Sequence, residues 1–152
     1  MIKQNKIIKS IWWFYVVLLF LLAVVKFRGS VAELIDRVNS YCMDGATNYN
    51  LVPFRSIQNQ VEHILQGWAL INLLGNIVPF IPFGFLLPIS YRKINTFYKV
   101  FAVGFISIVF IELFQFMTKL GSFDVDDIIL NVVGVTLGYF MIRVFNRIFI
   151  TE

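Results

Sequence analysis

One cysteine and one histidine among 152 residues remove two common ways of holding a small chain together. Cys42 has no partner for an intramolecular disulfide, and Cys42 with His63 cannot supply the four ligands of a structural zinc site. Charge is scarce as well. Asp, Glu, Lys and Arg make up 14% of the chain, against about 25% in a soluble domain. Hydrophobic residues make up 59%, with 17 Phe, and the mean hydropathy is +0.78. They fall in long blocks, and apolar blocks of roughly 18 residues or more mark membrane-spanning helices. The pI near 9.3 does not point to nucleic acid, because the 13 Lys and Arg sit in short groups at the ends of apolar runs, where they act as topology signals. An all-α integral membrane protein is expected, one domain over residues 1–152 built as a bundle of four transmembrane helices.

The first run, Ile11 to Val25, follows Lys3, Lys6 and Lys9 and precedes Lys26 and Arg28. A signal peptide has the same basic and apolar regions, but no small-x-small cleavage site follows, so an uncleaved anchor helix at about 7–27 is expected. From Gly29 to Glu62 the chain turns polar and forms the extracytoplasmic loop between the first two spans. Val31, Leu34, Ile35 and Val38 recur there at helical spacing, which fits either a short amphipathic helix at the interface or a connecting loop with one turn of helix. Pro53 excludes a regular helix through its own position.

The second span, Leu65 to Ile89, holds Asn72, Asn76, Pro79, Pro82 and Gly84. At about 100° per residue, Asn72, Asn76, Pro79 and Phe83 share one face, and the two prolines predict a kink. The third span, Tyr98 to Thr118, carries Glu112 and Gln115 one turn apart. The fourth, Val125 to Phe149, places Asp127, Asn131, Gly134 and Gly138 on a single stripe, and its glycine pair allows another backbone to approach closely. With the N-terminus inside, eight basic residues (Lys3, Lys6, Lys9, Arg92, Lys93, Lys99, Arg143 and Arg147) face the cytoplasm and five (Lys26, Arg28, Arg37, Arg55 and Lys119) face outward. That bias puts both termini in the cytoplasm.

Between Glu112 and Gly138 the chain places four acids and two amides in an apolar setting. At roughly 1.5 Å of rise per residue, Glu112, Asn131 and Asn72 each lie about ten Å below the outer ends of their helices. Three helices therefore bring polar groups to one level, beneath a lid of Asp124, Asp126, Asp127 and Arg55. A pocket open to the outer leaflet is expected, lined by Asn50, Arg55, Asn72, Asn76, Glu112, Gln115, Asp124, Asp126, Asp127 and Asn131. Plainer roles compete for individual residues: the Asp triplet fits a helix N-cap and first turn, and the Asn residues fit interhelical hydrogen bonding. Glu112 is harder to explain away, since a lone buried carboxyl must be neutral, bind a cation, or pair with Arg55 or Lys119. Facing polar stripes would place Glu112 near Asn131, Asn76 or Asn72, while the first helix, apolar throughout, is expected to pack peripherally.

At these residues the chain resembles the VanZ-like family of bacterial membrane proteins. The resemblance rests on Asn50-Leu-Val-Pro-Phe-Arg-Ser-Ile57, on Asn72-Leu-Leu-Gly-Asn-Ile-Val-Pro-Phe-Ile-Pro-Phe-Gly84, on Glu112-Leu-Phe-Gln115, and on Phe123-Asp-Val-Asp-Asp-Ile-Ile-Leu-Asn131 with Gly134 and Gly138. These motifs run in series over about 49–139. The family takes its name from a glycopeptide-resistance accessory protein associated with teicoplanin, a lipid-tailed antibiotic that binds cell-wall precursor on the outer face. The resemblance implies a role at the bacterial cell envelope, in the cytoplasmic membrane. Family members often carry Arg shortly before the Phe-Asp motif. Here Lys119 and Gly121 stand in that region, and Lys keeps the charge without the bidentate fork.

Three functions are compatible with this reading. The first is an envelope protein whose pocket recognises an amphiphile, such as a lipid-linked cell-wall precursor or a lipoglycopeptide, and contributes to teicoplanin-type resistance. The second is an intramembrane enzyme acting on a lipid-linked substrate, with Glu112 and Asp124, Asp126 or Asp127 as acid and base; Glu112 and Asp127 are its catalytic candidates. Ser56 and Ser122 have no histidine nearby to activate them. The third is a transporter, suggested by a membrane carboxylate and a proline-broken helix. The spacing of the Asp triplet is not that of a calcium loop, and neither a metal nor a cofactor is expected; membrane lipids are the expected partners.

Overall fold

The computed structural model describes residues 6–25, 35, 39 and 49–149. The amphipathic segment expected at 31–38 lies outside the described residues except for Ile35, as do Lys3, Lys26, Arg28, Arg37 and Cys42. In chain order the elements are α1 (Lys6–Val25), β1 (Tyr49–Asn50), α2 (Arg55–Glu62), α3 (Gly67–Ile77), a 3₁₀ turn (Val78–Phe80), α4 (Ile81–Ser90), α5 (Phe97–Thr118), β2 (Phe123–Asp124) and α6 (Val125–Phe149). Four helical stretches are long and apolar enough to cross a membrane: Lys6–Ala23, Gly67–Ser90, Phe97–Thr118 and Val125–Ile148. Their outer faces leave Phe14, Ile71, Ile106, Phe110 and Ile148 more than half exposed, as a lipid-facing surface requires.

The second span is broken where its prolines predict. Pro79 and Pro82 lack the N–H groups that would bond back into the preceding turn, and the chain passes through the 3₁₀ turn before resuming as α4. In α5 the buried positions are Val100, Gly104, Ile108, Ile111, Glu112 and Gln115. They form one helical stripe, and its polar members lie in the last two turns.

α6 holds the bundle together through its glycines. A Cβ on Gly134 would collide with the Ile77 carbonyl, and one on Gly138 with the Ile81 carbonyl. Conversely, a Cβ on Gly84 would strike the Val135 carbonyl. Because Gly134 faces Ile77 and Gly138 faces Ile81, the broken span and α6 run in the same direction, backbone against backbone. The small-xxx-small stripe thus finds its partner in the proline-broken helix. Around this contact lies a core of Phe80, Phe83, Leu87, Val100, Ile108, Ile111, Val135 and Tyr139.

α1 packs at the edge of the bundle, as its apolar sequence suggests, and is tied to it at specific points. It is the least enclosed span, with 11% of its residues buried against 39% for the fourth. Even so, Trp12 and Leu19 are buried, and Trp12 meets Phe83 edge-on at 4.9 Å between ring centroids. The Tyr15 hydroxyl donates to the Pro79 carbonyl. α5 in turn ties to the end of α1, where Gln115 Nε2 donates to the Ala23 carbonyl at 2.8 Å. An aromatic anchor and two side chain to backbone bonds tie this peripheral helix to the bundle, because the kinked span and α5 offer acceptor and donor groups that need partners in hydrocarbon.

The glycine contact can be measured directly. Gly138→Val forces a branched side chain into a backbone and should destabilise the solubilised protein by about 3 kcal/mol in thermal unfolding. Gly67→Ala, where a Cβ meets nothing within 4 Å, should stay within about 0.5 kcal/mol of the parent.

Candidate binding cavity

The loop before α3 is joined to the start of α6 by short-range polar chemistry. Tyr49–Asn50 and Phe123–Asp124 pair as parallel strands, Tyr49 against Phe123 and Asn50 against Asp124. Beyond them, Phe54 takes a left-handed conformation at φ 67°, turning the chain into α2. No side chain of its own segment caps α2. Asp126 does so from α6: Oδ1 accepts the Phe54 N–H at 2.6 Å, and Oδ2 accepts the N–H groups of Ser56 at 2.7 Å and Ile57 at 3.1 Å. A carboxylate is well placed there, since the first N–H groups of a helix are unsatisfied and carry its positive end.

Asp124 completes the junction. Its Oδ1 accepts the Asp126 N–H at 2.9 Å, which caps α6 locally. The same oxygen accepts Asn50 Nδ2 at 3.1 Å, and Oδ2 accepts the Ser56 hydroxyl at 2.6 Å. Asn50 Nδ2 also donates to Ser56 Oγ at 3.1 Å. Asp127 turns the other way, toward the kinked span, and accepts Asn76 Nδ2 at 2.6 Å. On α5, Glu112 Oε2 lies 3.4 Å from the Asp124 backbone N–H, a long hydrogen bond.

These groups surround a cavity of about 410 Å³. α3 and the 3₁₀ turn give it Asn72, Asn76 and Pro79; α5 gives Ile111, Glu112 and Gln115; α6 gives Asp127 and Asn131. Asp124 and Ser122 close one side and Ser56 with Gln60 another, while Leu22 and Ala23 of α1 complete the wall. The cavity sits at the end of the bundle where α1 and α5 finish and α3 and α6 begin. At the opposite end Lys9 lies over the Tyr91 ring and Arg143 over the Tyr139 ring, 5.5 and 5.9 Å from the centroids.

Of the residues expected to form a pocket, Asn72, Asn76, Glu112, Gln115, Asp124, Asp127 and Asn131 line this cavity together. Asn50, Arg55 and Asp126 do not. Asn50 supports the wall through Asp124 and Ser56. Asp126 is fully buried with its carboxylate engaged by backbone N–H groups, so it is no lid over the pocket. Arg55 is exposed on α2, and neither Arg55 nor Lys119 is among the cavity's lining residues. Lys119 instead ends α5 in the left-handed conformation at φ 58°. Gln60, Ser56, Ser122 and the α1 wall escape the sequence reading. Gln60 stands among Gln58, Asn59 and Glu62 with nothing to single it out, and only the docking of α2 turns it inward.

A helical bundle with lipid-facing apolar surfaces and buried polar groups at one end defines a multi-pass membrane protein. The VanZ/LLP1 family model matches residues 12–146, and the chain belongs to that family. One relative, Protein VanZ of Enterococcus faecium, is 33% identical over 98 residues, 64% of this chain and 54% of that protein. The match therefore spans about half of the relative's length. No solved structure matches.

The junction makes a distinct prediction for Asp126. Asp126→Ala leaves three N–H groups without their acceptor and should cost about 2 to 3 kcal/mol. Hydrogen exchange at the Ser56 and Ile57 amides should accelerate well before exchange in the middle of α5 changes.

Proposed function

We propose that this protein acts at the bacterial cytoplasmic membrane in resistance to teicoplanin-type glycopeptides, by receiving the polar part of an envelope amphiphile in its cavity. The observation that carries this reading is the cavity itself, because buried carboxyl and amide groups from several helices converge on it. In hydrocarbon each such group costs several kcal/mol unless satisfied, so a polar void of this size is a feature the fold sustains at the expense of stability. Its setting supports an outward orientation. The cavity lies at the end poorer in basic residues, and the positive-inside bias assigns that end to the outer face, with both termini in the cytoplasm. A lipid-linked cell-wall precursor or a lipoglycopeptide has the matching form, a polar head for the cavity and a tail for the Phe-rich flanks.

A catalytic reading draws on the same walls. Glu112 and Asp127 both line the cavity and would serve as acid and base on a lipid-linked substrate. Release of a head group from a labelled lipid-linked precursor by the purified protein, lost in Glu112→Gln, is the result this reading requires.

Glu112→Gln and Asp127→Asn keep the shape of the cavity while removing its charge. Each should abolish protection against lipid-tailed glycopeptides, returning the minimal inhibitory concentration to that of cells lacking the protein, with membrane insertion unchanged. Full protection by both variants would remove the cavity from the function.

A further inference from the structure

Three side-chain oxygens of cavity-lining residues have no hydrogen-bond partner among the described residues: Gln60 Oε1, Gln115 Oε1 and Asn131 Oδ1. Their residues are 8%, 0% and 3% exposed, and buried polar atoms without partners are uncommon and call for an explanation. For Gln115 the direction of the amide is settled by its surroundings. The nitrogen must face Ala23, since a backbone carbonyl only accepts, so the oxygen is left to the cavity. An amide oxygen remains an acceptor in every protonation state of the site. Among the described residues, the ionisable groups on the walls are Glu112, Asp124 and Asp127, and none of the described lining residues is Lys, Arg or His. None of the three can carry positive charge.

We propose that the group this cavity receives is a protonated primary amine rather than a phosphate, an inference that rests on the binding role assigned to the cavity above. An alkylammonium presents three N–H donors and a positive charge, which answers the unpartnered oxygens and the carboxyl-bearing walls together. A phosphate or pyrophosphate brings only acceptors and negative charge at neutral pH. It would face like-charged neighbours in a setting that screens them poorly and would leave the three oxygens unsatisfied. A metal ion fits less well than an ammonium, because among the described residues no three Asp, Glu, His or Cys side chains are grouped to hold one.

Ligand-dependent thermal unfolding of the purified full-length protein tests this with matched probes. Phosphatidylethanolamine and its N-acetyl derivative share tails and phosphate and differ in the ammonium alone; phosphatidic acid carries phosphate without an amine; lysine methyl ester carries a soluble amine without a lipid. Phosphatidylethanolamine should stabilise the protein, with the N-acetyl derivative and phosphatidic acid weaker by about tenfold or more, the loss expected when buried acceptors go unpaired. Saturable stabilisation by lysine methyl ester would assign the amine to a water-soluble molecule or peptide, and its failure beside phosphatidylethanolamine to a membrane lipid; both support the inference. Gln60→Leu should weaken amine binding by about tenfold, and the comparison of probes on the parent protein holds even if that variant does not fold. Equal binding of the acetylated and free lipids, preference for phosphatidic acid, or no response to any amine would overturn the proposal. If Glu112→Gln abolishes glycopeptide protection while the protein shows no amine preference, this inference falls and the functional reading stands. Amine-selective binding with protection intact in Glu112→Gln and Asp127→Asn supports the inference and removes the resistance role.

Discussion

The grip of Asp126 on the backbone of residues 54–57 is the interaction on which the rest of the site depends. One carboxylate accepts three N–H groups across some 70 residues of sequence, and it does so fully buried. Without it the first N–H groups of α2 lose their cap, and the left-handed turn at Phe54 is left with the long bond from the Arg55 N–H to the Val52 carbonyl at 3.4 Å. Asp124 adds a second tie through Ser56 and Asn50, so the loop before the second span is stapled to the first turn of α6. That staple places Ser56 and Gln60 on one wall of the cavity. Three neighbouring aspartates thereby take three tasks: Asp124 caps its own helix, Asp126 caps a distant one, and Asp127 faces the void and holds Asn76.

The other half of the assembly is set by shape rather than charge. The carbonyls of Ile77 and Ile81 lie where any side chain on Gly134 or Gly138 would have to go, so α6 and the kinked span touch along their backbones. Proline and glycine are poor choices inside ordinary helices. Here the first breaks the span so that it can follow α6, and the second clears the surface it follows. The Asn76–Asp127 bond belongs to this same helix pair. Backbone packing and polar bonding therefore specify the same arrangement, as expected of a sequence whose local choices agree with its fold.

Much of this arrangement is legible in the sequence, and the reasons are physical. Four apolar blocks give four spans, because only helices satisfy their own backbone in lipid. The stripes on the second, third and fourth helices are periodic, and periodicity survives folding, so Asn72, Asn76, Glu112, Gln115, Asp127 and Asn131 meet as their spacing indicates. What stays hidden has no period. The pairing of Tyr49–Asn50 with Phe123–Asp124, the capping of α2 in trans and the inward turn of Gln60 all depend on contacts between distant segments. A carboxylate that accepts backbone N–H groups of another segment looks the same in sequence as one lining a pocket, which is why spacing alone puts Asp126 at the lid. The part α1 plays in the wall is hidden for a related reason: it joins the cavity through the apolar Leu22 and Ala23 and a backbone carbonyl, none of which stands out in an apolar run.

The central claim, a hydrated cavity reached from the outer face, is most directly tested by cysteine accessibility in intact cells. With Cys42 replaced by Ser, Asn72→Cys on the cavity wall and Ile106→Cys on the lipid-facing side of α5 can each be exposed to a membrane-impermeant maleimide. The account predicts that the thiol at position 72 is labelled from outside, that the thiol at 106 is not, and that position 72 is protected when a saturating cavity ligand is present. A thiol at 72 as inert as that at 106, or labelled only after the cytoplasmic face is opened, would contradict it.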